Sequence, residues 1–366
     1  MMNKCVFVTN LPSPYRVDFF NHFGKFVDLT VVYERKSSSE RDSLWVSKAS
    51  RCFKECYAPL KPYKADQSTG CGLIKIIKKN NYDFLIISNY ASPSVLRLIL
   101  WCILHKKDYY LEYDGGFDKK DNFLKHIIKK ILICNAKGHF ASSSQHIKYL
   151  TKLGVKENTI FKYNFSSVKE EDIISKPLTC DEKITLRKKC GLSCRRMVLS
   201  IGQFIYRKGF DLLIRAASLS PRDIDFFIVG GNPTNEYLNL IKEFDLTNVH
   251  FIPFREKEDL VSIYKCADLF VMPTREDIWG LVINEAMANG LPVISSNKCI
   301  AAIEMVKEGC NGFIYQCEDV ADLAHKIEFF FSNPLLASKY SEASLETIKN
   351  YTIEKMAFDH YDFLNK

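Results

Sequence analysis

The chain has 366 residues, 47% hydrophobic and 26% charged, with 51 Lys and Arg against 43 Asp and Glu for a formal net charge of +8. That balance excludes a disordered or fibrous protein and suits two domains of ordinary size, each able to bury a core. The basic surplus favours anionic partners, and charge alone does not choose among nucleotides, phospholipid surfaces and nucleic acid.

Short runs rich in Val, Ile and Phe alternate with amphipathic stretches, the pattern of parallel α/β domains. In chain order, strands are predicted at 4–9, 29–33, 84–88, 109–113, 139–142 and 160–163, then at 197–202, 225–229, 249–253, 268–272, 292–295 and 312–315. Residues 1–168 thus form a first domain and 186–337 a second. The polar stretch 169–185, with Glu170-Glu171-Asp172 and Pro177, reads as the linker. A helical tail, 338–366, carries Tyr340, Tyr351, Phe358, Tyr361 and Phe363.

Within the first domain, 122–137 has the spacing of an amphipathic helix. Phe123, Leu124, Ile127, Ile128, Ile131 and Leu132 share one half of the wheel, and Lys125, His126, Lys129 and Lys130 the other. Such a helix can lie on an anionic membrane. The commoner arrangement packs the apolar face on the domain's own sheet and leaves the basic face in solvent.

No leader peptide is expected, since 1–10 is a short strand-like run followed by Pro-Ser-Pro. The apolar run 95–104 is interrupted by Arg97 and falls far short of the ~20 residues of a membrane span. The thirteen cysteines are odd in number and form no CxxC. Cys52/Cys56 and Cys190/Cys194 lack a neighbouring His cluster, which argues against zinc, while Cys5, Cys102, Cys134 and Cys266 sit in apolar runs. The expectation is a cytoplasmic protein whose membrane contact, if it has one, is peripheral.

The most informative stretch is 273–290, Pro-Thr-Arg-Glu-Asp-Ile-Trp-Gly-Leu-Val-Ile-Asn-Glu-Ala-Met-Ala-Asn-Gly. It follows an apolar strand and ends on Gly290, with Pro292 beyond, so 281–289 reads as a short helix entered through a tight Trp-Gly turn. Free amides at a helix start make an anion site. Asp277 lies before that start and Glu285 about one turn inside it. A phosphate site flanked by two carboxylates suits a sugar nucleotide, whose hydroxyls the carboxylates can bind.

This run resembles the acidic-x7-Glu signature of the retaining, metal-independent glycosyltransferases of the GT-B fold, the bacterial "group 1" family. Asp277 stands where that family usually has Glu. The resemblance implies an α/β GT-B protein: two Rossmann-like domains facing each other across a cleft, with the C-terminal helix crossing back to the first. It implies transfer of a sugar from a nucleotide diphosphate donor to a saccharide acceptor, the acceptor being a lipid-linked saccharide of a bacterial surface polysaccharide such as capsule or lipopolysaccharide. Neither a metal nor another cofactor is expected, and no nucleic acid partner.

The same resemblance implies roles along the chain. Residues 200–209, Ser-Ile-Gly-Gln-Phe-Ile-Tyr-Arg-Lys-Gly, are similar to the family's Gly-Arg-Leu-x-x-x-Lys-Gly element, which binds the donor diphosphate. Lys208 matches the Lys, Gln203 takes the place of the Arg, and Arg207 can supply the missing charge. The amides of Gly280, Leu281 and Val282 face the diphosphate, Glu285 the ribose and Asp277 the transferred sugar. Phe254 follows the segment that holds the nucleobase. Residues 298–306 occupy the place of the family's Gly-Gly-x-x-Glu turn without its glycines.

In the first domain, Pro14, Tyr15 and Arg16 form the acceptor-side loop after strand one. Asp114 ends a strand near where related enzymes place a His. It holds a substrate hydroxyl or forms an Asp-Gly turn. Gly230-Gly231 reads as a strand exit, and Asp223-Ile224-Asp225 as a turn. Three other possibilities remain: a phosphorylase, an epimerase, or a catalytically silent sugar-nucleotide-binding subunit. A dehydrogenase is not expected, because no GxGxxG follows a predicted strand.

Overall fold

The computed structural model describes residues 2–37, 47, 49–63, 67–88, 91–116 and 122–366. They form two compact units, Met1–Ser167 with Thr352–Lys366, and Val168–Tyr351.

The first unit is built on a seven-stranded parallel sheet. Its strands are β1 (Lys4–Thr9), β2 (Asp28–Tyr33), β3 (Lys54–Tyr57), β6 (Phe84–Ile87), β7 (Tyr110–Tyr113), β8 (Gly138–Ala141) and β9 (Ile160–Lys162), in the order β3-β2-β1-β6-β7-β8-β9. Two-residue strands β4 (Lys61–Pro62) and β5 (Ser68–Thr69) pair separately. Because helices cover a parallel sheet on both faces, its inner strands are largely apolar, with Glu112 and His139 buried among them. Val6, Val8, Leu85, Ile87, Leu111 and Ala141 are all buried in one core.

The last helix, Ile353–Leu364, belongs to this first unit and is held by a buried polar knot. His360 Nε2 meets Glu112 Oε1 at 3.1 Å, while Arg16 donates from Nη1 and Nη2 to Glu112 at 2.9 and 2.8 Å. Burial opposes ionisation of Glu112, but Arg16 and His360 outweigh it and hold the carboxyl down at about 2. Phe140 stacks on His360 at 4.3 Å, and Phe363 packs on Phe140 and Phe161. The preceding helix, Pro334–Ile348, stays in the second unit, where Tyr340 joins the core.

The second unit has a six-stranded parallel sheet of β10 (Arg196–Ile201), β11 (Ile224–Val229), β12 (Val249–Ile252), β13 (Leu269–Met272), β14 (Val293–Ser296) and β15 (Gly312–Tyr315), ordered β12-β11-β10-β13-β14-β15. The order reverses between β10 and β13, so the chain leaves these neighbours in opposite directions. Crevices beyond the carboxyl ends of such a pair are where open α/β sheets bind ligands.

Three expectations change. Part of the polar stretch 169–185 is a helix, Cys180–Lys189, whose capping box joins Thr179 and Glu182. Its Arg187 is buried against Asp268 at 2.5 Å, so charge, not an apolar stripe, anchors it. The Asp223-Ile224-Asp225 string is not simply a turn, since β11 starts at Ile224. Asp225 is buried, with Arg195 and His250 within 3.6 and 3.7 Å.

The third change concerns the basic helix, Phe123–Cys134. The commoner reading buries its apolar face on the sheet. Only Leu132 and Ile133 do so, and the other apolar side chains face outward.

Buried His139 on β8 sets an acid limit on the first unit. Burial pushes its pKa down to about 4 from 6.5, so the folded state favours the neutral ring. The stability it contributes is complete above pH 6.5 and is lost as pH falls through about 4. Thermal unfolding followed by circular dichroism should show Tm falling across that window, and His139→Asn should flatten the fall.

Candidate donor site

The site grows from the exits of β10 and β13. After β10 the chain makes a single 3-10 turn, Tyr206–Lys208, and reverses at Gly209, where φ is 67°. A Cβ there would stand 2.1 Å from the Pro273 carbonyl oxygen, so only glycine lets this turn press against the exit of β13.

Hydrogen bonds then stitch the two exits together. The Arg207 carbonyl accepts from the Arg275 amide and the Thr274 hydroxyl, both at 2.8 Å. Arg207 Nη1 in turn donates to the Glu276 carbonyl at 2.7 Å.

Lys208 and Asp277, 69 positions apart, meet here at 2.5 Å, with Arg207 Nη1 3.7 Å from the same carboxylate oxygen. Asp277 is nearly buried, and its Oδ1 also accepts from the Trp279 amide at 3.4 Å. Gly280 follows at φ 101° and caps the helix Leu281–Ala288. A Cβ on it would lie 2.5 Å from Cys299 Sγ.

Beneath this entry Trp279 is buried, its Nε1 donating to Asn284 Oδ1 at 2.9 Å. The helix stops by the double bond of a Schellman motif, Gly290 N–H to Met287 O and Leu291 N–H to Ala286 O. Both ends of the helix are thereby fixed. Its free amides, two cations and one carboxylate share one corner of the domain.

Residues 298–301, expected near the donor, run directly under this corner. The Asp277 amide donates to the Lys298 carbonyl at 2.8 Å, and the Ala301 amide to the Trp279 carbonyl at 2.8 Å. Cys299 Sγ donates to that same carbonyl at 3.0 Å. Burial, with Asp277 nearby, pushes this thiol up to about 12, so it acts as packing and not as a nucleophile.

Other expected residues are more dispersed. Glu285 lies one turn into the helix and accepts from the Tyr264 hydroxyl at 3.0 Å, a partner that sequence reasoning missed. Gln203 follows Gly202 at the exit of β10, and Phe254 leaves β12 at the sheet edge, half-buried.

In the first unit, Pro14, Tyr15 and Arg16 are not a loop. Proline's fixed φ suits a first helical position, and they open the helix Pro14–Phe23. Arg16 is buried, its guanidinium committed to Glu112 and Asp114, so an acceptor-side role for its charge is corrected to a scaffolding one. Asp114 ends β7 about one-third exposed, with its side chain aligned by Arg16.

Arg275 was also missed. It grips Asp211 with two bonds of 2.7 and 2.6 Å, reaches Glu318 at 2.6 Å, and lies 4.0 Å over the Tyr206 ring. Its Nη1 also bonds the Tyr206 carbonyl at 2.9 Å, so it braces the turn that presents Arg207 and Lys208. Arg275→Ala strands a mostly buried carboxylate and should cost about 2–4 kcal/mol in chemical denaturation. Arg275→Lys should recover only part of this, because an ammonium cannot make the paired bonds.

With this geometry, comparison with known proteins becomes informative. Residues 182–347 match the family model "Glycosyl transferases group 1". An uncharacterized glycosyltransferase of Haemophilus influenzae is 29% identical over 166 residues, 44% of this chain and 46% of that protein. The chain thus spans about half the length of that relative.

The N,N'-diacetylbacillosaminyl-diphospho-undecaprenol alpha-1,3-N-acetylgalactosaminyltransferase of Campylobacter jejuni is 20% identical over 76% of each chain. Among solved structures, Anabaena Alr3699/HepE in complex with UDP superposes with a TM-score of 0.78 over all of both chains at 15% identity, a likeness of fold. The chain has the GT-B fold, and its residues 182–347 match the group 1 glycosyltransferase model.

Proposed function

We propose that the chain moves a sugar from a nucleoside diphosphate donor to a saccharide acceptor, with retention at the anomeric carbon. One observation carries the reading: Lys208, Arg207 and Asp277 converge on the start of the helix Leu281–Ala288, at the exits of adjacent strands β10 and β13.

As the bond between the anomeric carbon and the diphosphate breaks, negative charge grows on the leaving group. Lys208, Arg207 and the amides of Gly280 to Val282 stabilise it, with no metal assigned. Glu285 holds the ribose hydroxyls and Asp277 the departing sugar, while Gln203 and Phe254 border the nucleotide. Asp114 binds a substrate hydroxyl, and Pro14 and Tyr15 lie on the acceptor side.

The UDP complex of the Anabaena protein makes UDP-sugars the first donors to try. The name of the Campylobacter relative supports a lipid-linked saccharide as acceptor. The setting we propose is the cytoplasmic face of a cell membrane, in the synthesis of a surface polysaccharide.

Release of nucleoside diphosphate that requires acceptor is the expected result of a coupled assay. Turnover of donor without acceptor would point to another reaction on sugar nucleotides, and binding without turnover to a silent subunit. Glu285→Gln keeps shape and removes charge, so donor affinity in titration calorimetry should weaken by about 1.5–3 kcal/mol with Tm unchanged. Equal affinity in the two proteins would remove Glu285 from the ribose.

A further inference from the structure

The helix Phe123–Cys134 presents its apolar face to solvent. Phe123 is 78% exposed, Leu124 71%, Ile128 56%, Ile131 48% and Ile127 38%, whereas Leu132 and Ile133 anchor the helix to the core. At 100° per residue, the midpoint of the exposed stripe lies roughly 160° round the wheel from the midpoint of the two anchors. The stripe therefore points almost directly away from the domain.

The helix Pro93–Leu104, which touches this one, adds Leu100 and Leu104, both exposed. An apolar surface of this kind on a folded protein marks a contact to be made.

Charge selects the partner. Helix Phe123–Cys134 carries Lys125, Lys129 and Lys130 and no carboxylate, with exposed Lys106 and Lys107 just beyond Leu104. The nearby carboxylate of Asp108 is paired with Lys137 at 2.7 Å.

On the same wheel Lys130 flanks the stripe, and Lys125 and Lys129 lie toward the domain side, so the basic side chains sit behind the apolar ones. An anionic bilayer meets both demands. Its acyl boundary takes the stripe to a depth of about 5–10 Å, and its head groups take the lysines. Among the described residues no helix is long and apolar enough to cross a membrane.

We infer that this helix docks the chain in plane on an anionic membrane surface, with Phe123, Leu124, Ile127, Ile128 and Ile131 inserted and Lys125, Lys129 and Lys130 at the head groups. The inference stands on surface geometry and does not depend on the glycosyl-transfer reading, so nucleoside diphosphate binding serves as an independent control.

The full chain should co-sediment with vesicles of phosphatidylglycerol and phosphatidylcholine in equal parts, and not with pure phosphatidylcholine. Binding should weaken with salt, which screens exposed charge over about 10 Å at 0.1 M. Ile128→Ser with Ile131→Ser should lower the vesicle partition coefficient about ten-fold or more. Lys125, Lys129 and Lys130 changed together to Gln should lower it about five-fold per lysine, the equivalent of about 1 kcal/mol each. Ile128 and Ile131 are exposed, so Tm of the isoleucine variant should match the parent, and diphosphate binding should match in both variants.

Pelleting that neither variant reduces, or that is equal on the two lipids, would overturn the inference. So would a dimer in sedimentation equilibrium that the isoleucine changes dissolve while vesicle binding is absent.

Discussion

Lys208 and Asp277 come from loops 69 positions apart and meet because two adjacent parallel strands end side by side. Almost every local feature of the second domain serves that meeting. Gly209 lets the first loop touch the second, Gly280 turns the second into a helix, and Arg275 braces the turn from behind. Each feature would be costly alone. A left-handed turn and a close backbone approach persist because the surrounding bonds over-determine them. The outcome is a cationic corner with its own counter-charge, set against the positive end of a helix.

The first domain uses a related device for a different end. Arg16, Glu112 and His360 form a buried charged network that ties the chain's last helix to the strand β7 and to the helix after β1. Buried pairs of this kind add little net stability against apolar packing, yet removing one partner is severe. Their effect is to fix geometry. Here they also hold Asp114 at the end of β7, so a polar group at a strand exit is aligned by a scaffold reaching to the chain's end.

Much of this was legible in the sequence, for identifiable reasons. Strands buried on both faces are mostly apolar, so β1, β10 and β13 stood out as apolar runs broken only by the end residues of β1, the first residue of β10 and Ser200. Strand β3, Lys-Glu-Cys-Tyr, lies at the sheet edge and has no such run. The helix Cys180–Lys189 is held by Arg187 and Asp268, so no apolar periodicity announced it, although its Thr179-x-x-Glu182 cap was in plain view.

The motif around Asp277 was legible because Trp279, Gly280 and Gly290 punctuate it. What lay hidden was pairing between distant loops: Arg16 resembled a surface charge because its partner Glu112 sits inside an apolar strand. The basic helix was legible as amphipathic, but its sequence could not say which face met the domain. Leu132 and Ile133 decide that.

If the corner occupied by Lys208 receives a diphosphate, Asp277 is its internal competitor. A carboxylate 2.5 Å from the ammonium must share or release it when phosphate arrives. Removing that negative charge should therefore help a bare nucleoside diphosphate while depriving the sugar of its partner. The direct measurement is titration calorimetry of UDP into the parent and Asp277→Asn, with sugar transfer assayed alongside. Tighter UDP binding in the variant together with slower transfer is the expected result. Weaker UDP binding in Asp277→Asn, with Tm unchanged, would contradict it.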